Sequence, residues 1–180
     1  MSIYEIIILS IALALDALIV SFSYGAVIKA RRYKNAFFLA FSFGFFQMLM
    51  PLLGWFFTKI IYLYIEKYSK WLVFLIFFIL GIKFLKEAIF NSEEKNISCI
   101  SPLCMFCLAI ATSIDAFGAG ASIKLLNVEI LKSALIIGLI TYVLSFSGFL
   151  IAGILKNISE KHVCIFGSLI LFYLALKSLI

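Results

Sequence analysis

The sequence predicts an all-α polytopic membrane protein, with six transmembrane helices arranged as two inverted three-helix repeats. Three observations predict it. Of 180 residues, 65% are hydrophobic and only 13% charged. A soluble domain of this size needs more polar residues to cover its surface, so much of the apolar surface must face lipid. Long uncharged runs recur, and a bilayer crossing needs ~20 residues. Finally, short stretches of the first half return in the same order in the second.

The first span is expected over residues 3–24. Its apolar run begins almost at once, but it lacks the positive lead of a signal peptide and carries Glu5 and Asp16. It therefore reads as a retained span. The second covers 35–59 and the third 68–90. The fourth runs over 102–123, with Ser101 as N-cap and Pro102 at the first helical position. The fifth covers 130–155 and the sixth 162–179. Spans three and six have short uncharged cores, 71–82 and 163–176, and reach across only if flanking lysines snorkel to the headgroups. Lys83 and Lys177 follow those cores. No polar segment is long enough to fold as a separate domain.

The repeat is read from three alignments. I-L-G-I-K-F-L at 79–85 matches Y-L-A-L-K-S-L at 173–179, and E-K-Y at 66–68 keeps the same offset with E-K-H at 160–162. A-L-A-L-D-A-L at 12–18 matches A-T-S-I-D-A-F at 111–117. The copies are 1–95 and 96–180, within one integral membrane domain. An odd number of spans per copy makes the second enter from the opposite side. Many secondary transporters are built this way, with substrate near the midplane between the halves.

The net charge of +6 does not call for nucleic acid, because lysines and arginines between spans set orientation. Lys29, Arg31, Arg32, Lys34, Lys83, Lys86, Lys95, Lys156 and Lys161 fall on one face; Lys59, Lys67, Lys70, Lys124, Lys132 and Lys177 fall on the other. Four of the first set crowd the loop after span one. That loop is expected to be cytoplasmic, with both termini outside.

Asp16 and Asp115 hold equivalent mid-span places. A charged aspartate at a helix centre costs ~2.5–3.5 kcal/mol on insertion scales, and such residues normally face a protein interior with a partner. Repeat symmetry would bring the two towards a common axis, where like charges repel unless a cation stands between them. Three arrangements satisfy the pair: a hard divalent cation held by oxygens, a shared proton, or a lysine partner, for which Lys83 and Lys124 are the candidates.

Further oxygens lie close in sequence. Thr112 shares a helical face with Asp115, Ser113 precedes it by two residues, and Ser21 and Ser23 follow Asp16. The plainer role of such hydroxyls is to bond their own backbone. In span two, Pro51 frees a carbonyl near Gln47, and the Gln47 amide offers another oxygen. The plainer role of Pro51 is a kink without a ligand. The second copy has S-F-S-G at 145–148 in that place, without a glutamine, so the site is expected to be asymmetric in detail. Gly25, Gly118 and Gly120 would let backbones approach closely, and Gly25 equally suits a helix cap. Cys99, Cys104 and Cys107 have spacing that suits a soft metal, but cysteine also packs as a small apolar residue. The lone His162 reads as interfacial, and the aromatic residues as lipid-facing bulk.

L-D-A at 15–17 with Ser21 and Gly25, F-G-x-x-Q-x-x-x-P-x-x-G-W at 43–55 and A-T-S-I-D-A at 111–116 together resemble the MntP family of manganese-efflux pumps. The resemblance covers essentially the whole chain. It implies six spans, export of Mn²⁺ across the bacterial cell membrane, and importance for Asp16, Gly25 and Asp115. Some family members carry glutamate where this sequence has Gln47. I-D-A-F-G-A-G at 114–120 is also similar to the sporulation-associated YtaF proteins, but the intact glutamine, proline and tryptophan of span two favour MntP.

The expectation is thus a transporter and not an enzyme. No cofactor is expected, since Mn²⁺ enters as transported substrate, and the partners are that ion and the lipid bilayer. A phosphate-binding G-x-x-x-x-G-K-[ST] loop is absent from the sequence, which argues against ATP as the driving force. Two alternatives stand beside it: a carrier for Cd²⁺ or an amino acid, as in the lysine-exporter-like group, and a non-transporting membrane protein of the sporulation type.

Overall fold

The computed structural model describes residues 3–28, 31–90, 102–152 and 160–179. Among the described residues all regular structure is helical: α1 (Ile3–Val27), α2 (Arg32–Ile65), a 3₁₀ turn (Glu66–Tyr68), α3 (Ser69–Phe90), α4 (Pro102–Thr112), α5 (Ile114–Leu125), α6 (Ile130–Ile151) and α7 (Glu160–Leu179). Ser101 and Cys99 lie outside the described residues, as do the side chains of Lys83, Cys104 and His162.

Four stretches are long and apolar enough to cross a membrane: Ile3–Ala26, Arg32–Ile60, Met105–Leu125 and Ile130–Ile151. The apolar stretches of α3 and α7 are shorter, Ser69–Ile82 and Ser168–Lys177. They fall where the sequence leads one to expect a third and a sixth span with short uncharged cores.

Two elements depart from expectation. The apolar stretch of α2 spans Arg32–Ile60, close to the expected 35–59, but the helix itself runs on to Ile65, 34 residues in all, or about 51 Å at the usual rise. Lys59 does not end it because its ammonium folds back over Trp55, one turn earlier and 5.2 Å from the ring centre; no glycine or proline follows to interrupt the backbone. The fourth span is not one helix. It breaks at Ser113, which has φ −95° and ψ 2°. The Ser113 hydroxyl donates to the Ala109 carbonyl at 2.7 Å, and Thr112 Oγ1 donates to the same oxygen at 3.2 Å. The Ser113 amide turns to Ile110 instead, at 3.1 Å. Serine and threonine bonding back onto their own helix loosen it in this way.

The helices form a closed ring in the order α1, α6, α2, α4–α5, α3, α7 and back to α1. Side-chain contacts fix several directions. Ile3 and Ile6 share a cleft with Lys132 and Leu135, and Gly25 meets Phe149, so α1 and α6 are parallel. Tyr142 meets Phe37 and Gly44, whereas Met48 meets Gly138, so α2 and α6 are antiparallel. Phe46 packs on Phe106 and Tyr62 on Lys124, so α2 runs with α4–α5. Glu5 near the start of α1 pairs with Lys177 near the end of α7.

The α5–α6 connection closes with a hydrogen-bond pattern that needs a left-handed residue. Asn127 supplies it, with φ 52°. Its amide bonds Lys124 O, and the Val128 amide bonds Ile123 O, the Schellman pattern that asparagine tolerates.

Two apolar clusters fill the interior. One joins Leu9, Leu13 and Leu15 of α1 to Phe77 of α3, Ala116 and Ile123 of α5 and Leu174 of α7. The other joins Ala17, Val20 and Tyr24 of α1 to Leu39 and Phe43 of α2, Ala109 of α4 and Phe149 of α6. Outside, rows of apolar side chains are exposed at helical spacing, such as Phe37, Phe41 and Phe45 on α2 and Leu131, Leu135 and Leu139 on α6. A lipid-facing surface has this character.

Candidate functional site

Asp16 stands where the two clusters meet, since Leu15 belongs to one and Ala17 to the other. It is half-buried, and its Oδ1 accepts from the Ala17 amide at 2.6 Å. Asp115 is the second residue of α5, just past the break, and is only 4% exposed. Its Oδ1 accepts from the Ala116 amide at 2.9 Å. The two carboxylates thus hold the same local bond, each to the next residue's N–H. Asp115 lies along the same seam, between Ala109 of one cluster and Ala116 of the other.

Gln47 is fully buried on α2. Its Nε2 donates to the Leu13 carbonyl of α1 at 3.2 Å, whereas its Oε1 has no hydrogen-bond partner. In a regular helix the Ala17 amide points at Leu13 O. That carbonyl also receives the Gln47 side-chain amide, so Gln47 is tied to the turn that carries Asp16. Pro51, one turn further along α2, leaves the helix continuous; having no N–H, it gives Gln47 O no i+4 bond.

The remaining residues singled out in the sequence sort by helix contact. Ser21 is fully buried on α1 with its hydroxyl unpartnered. Thr112 and Ser113 have donated their protons to Ala109, which leaves their lone pairs directed elsewhere. Gly25 lies inside α1 with ordinary backbone angles, so it is not a left-handed cap; a Cβ there would stand 2.2 Å from Phe149 O. Gly120 presses on Pro51 O of α2, and Gly54 on Phe117 O of α5, where added Cβ atoms would stand at 2.1 and 2.0 Å. Gly118 faces α3 instead, with Ile76 Cγ2 at 3.3 Å. Lys124, a candidate aspartate partner, lies over Tyr62 at 4.5 Å and Trp55 at 5.6 Å, about 13 Å along α5 from Asp115.

Cys107 is exposed. Among the described residues no three His, Cys, Asp or Glu side chains gather as a metal cluster. A cleft of about 570 Å³ opens between Ile3 and Ile6 of α1 and Leu126, Val128 and Lys132. It lies about 15 Å along α1 from Asp16 and belongs to the bundle's end, not to the aspartates.

Sequence reasoning gave no individual role to four residues. Thr141 and Ser145 of α6 are fully buried with unpartnered hydroxyls. The 94-residue offset that pairs Glu66 with Glu160 also pairs Gln47 with Thr141 and Pro51 with Ser145, and would have found them. Gly54 was visible only as part of the span-two motif. Arg32, counted as a loop charge, reaches the end of α6, its Nη2 donating to Leu150 O at 3.1 Å and Phe149 O at 3.4 Å.

A family model described as "Putative manganese efflux pump" matches residues 29–179. The chain belongs to the MntP family. A MntP protein of Methanosarcina acetivorans is 37% identical over 95% of this chain and 92% of its own length. One of Ruminiclostridium cellulolyticum is 37% identical over 98% and 95%, and one of Crocosphaera subtropica 36% identical over 100% and 96%. All three carry the name putative manganese efflux pump MntP. No solved structure matches significantly. Membership places the chain in a family of ion exporters and not of enzymes, in keeping with its apolar helices.

Proposed function

We propose that the chain exports Mn²⁺ from the cytoplasm across the cell membrane as a secondary transporter, with the ion held between Asp16 and Asp115. The observation that carries this reading is the placement of both carboxylates along one seam between two apolar clusters, each with the same bond to the next amide. Two ionised carboxylates in such surroundings repel, and a dication between them removes the penalty. The nearby side chains of Gln47, Ser21, Thr112 and Ser113 add only neutral oxygens, which suits a hard cation such as Mn²⁺. Two charges with neutral oxygens also hold an ion loosely enough to release it.

The halves 1–95 and 96–180 act as inverted repeats about this site. The ring order supports it, since exchanging α1 with α4–α5, α2 with α6 and α3 with α7 leaves the order unchanged. The opposed directions of α2 and α6 fit the same exchange. Release to alternate sides then follows from one half rocking on the other. Close glycine contacts at Gly25 and Gly120, with Pro51 across from the latter, set the surfaces that move. The α1–α2 loop faces the cytoplasm and the termini lie outside.

The test is manganese tolerance in cells and Mn²⁺ flux in liposomes, for wild type, Asp16→Asn and Asp115→Asn at matched protein level. Both variants are expected to lose tolerance and flux. Full activity in both would sink the reading.

A further inference from the structure

Most hydroxyls in this bundle are spent on their own helix. Ser10, Ser42, Ser113, Ser122 and Ser133 each donate to the carbonyl four residues earlier, at 2.6 to 3.2 Å. This is what serine does inside an apolar helix, because no water is present to take the proton. Ser21, Thr141 and Ser145 do not follow the rule. All three are fully buried and none has a hydrogen-bond partner.

The exceptions share one place. Thr141 and Ser145 are one turn apart on α6, on the buried face that continues to Gly148 and Phe149. Gly148 meets Leu18, and Phe149 meets Gly25. Ser21 lies on α1 between Leu18 and Gly25, and Ser145 lies a turn or less before Gly148 and Phe149 on α6, so the two hydroxyls fall within about a turn of one another along the parallel pair. Gly138, one turn before Thr141, packs on Gly44 and Met48, next to Gln47. Gln47 Oε1 is the fourth buried oxygen without a partner in this region. Four orphaned oxygens at the junction of three helices are expensive unless something electropositive visits them.

We infer that Thr141 and Ser145 are cation ligands, which with Ser21 and Gln47 Oε1 line the α1–α2–α6 junction with oxygen alone. A hard divalent cation leaving or approaching the aspartates exchanges part of its water shell for these oxygens. The inference rests on the proposed reading for the identity of the ion. The position of the ligands rests on burial and lost hydrogen bonds.

Two measurements separate those layers, both in a background with Cys99, Cys104, Cys107 and Cys164 changed to alanine. In liposomes, Thr141→Val and Ser145→Ala each raise the KM for Mn²⁺ by about tenfold or more, and Thr141→Ser, which keeps the oxygen, restores it towards wild type. In detergent, Thr141→Cys and Ser145→Cys replace a hard ligand with a soft one. Each gains a thiolate–Cd²⁺ charge-transfer band, and in liposomes each shifts preference from Mn²⁺ towards Cd²⁺. Absence of the band in both cysteine variants, or Mn²⁺ kinetics unchanged in both Thr141→Val and Ser145→Ala, overturns the assignment. If wild type moves no Mn²⁺ yet the bands appear, the manganese reading fails and the ligand positions stand.

Discussion

A methyl group on Gly25 would stand 2.2 Å from the carbonyl oxygen of Phe149. That separation lies well inside contact distance and involves backbone, which cannot rotate away. Gly25→Ala therefore has to push α1 and α6 apart. Overpacking of this kind costs about 1–3 kcal/mol. The expected outcome is a lower unfolding temperature in detergent and reduced flux, with Gly120→Ala behaving alike because it meets Pro51 O. Gly118→Ala, which meets only the Ile76 side chain at 3.3 Å, is the comparison and stays near wild type. Equal losses in all three would contradict close approach as the cause.

Arg32, the first residue of α2, ties the start of that helix to the last turn of α6. The guanidinium donates to two carbonyls of that turn, Leu150 O and Phe149 O. Arg32→Ala should lower stability by about 1–2 kcal/mol and speed hydrogen exchange in the final turn of α6, leaving α3 and α7 untouched. Uniformly faster exchange across the bundle would argue against a local cap.

Gln47 offers a test by charge. Gln47→Glu removes the donor to Leu13 O, sets two acceptors face to face and brings a third carboxylate near Asp16. Without metal this variant unfolds at a lower temperature than wild type. Added Mn²⁺ then raises its unfolding temperature by more than it raises that of wild type, because binding to the folded state stabilises it in proportion to affinity. A smaller rise than in wild type would place the ion away from Gln47.

Orientation can be read by labelling in the cysteine-free background. Lys34→Cys, at the start of α2, should react with a membrane-impermeant maleimide only after cells are opened. Glu129→Cys, at the start of α6, should react in intact cells. The reverse pattern would invert the topology.

The membrane class and the positions of the four long apolar stretches were legible in the sequence, because hydropathy is a local signal. The shortness of the apolar stretches in α3 and α7 was legible for the same reason. The break at Ser113 was not, although Thr112 and Ser113 were both noticed: either hydroxyl alone is compatible with a straight helix, and only their joint use of Ala109 O opens it. Lys59 marks the edge of the apolar stretch, but the helix passes it, since Trp55 one turn earlier gives the ammonium a ring to cover. Thr141 was passed over because it resembles Gln47 in place and not in chemistry. Contacts such as Arg32 with Phe149 span more than a hundred residues of chain and have no local trace.

The apolar clusters on either side of the aspartates have an electrical meaning as well. Moving one elementary charge through 100 mV is worth about 2.3 kcal/mol, and the potential falls mainly across regions that polarise least. One cluster lies towards the α1–α2 loop and the other towards the α5–α6 turn, so together they act as two insulating septa in series. Were either one to part, as the proposed alternating access requires, that side's bulk potential would reach the carboxylates and nearly the whole field would fall across the other. An ion held there would feel the voltage of whichever compartment is open, without the two solutions ever being joined by water.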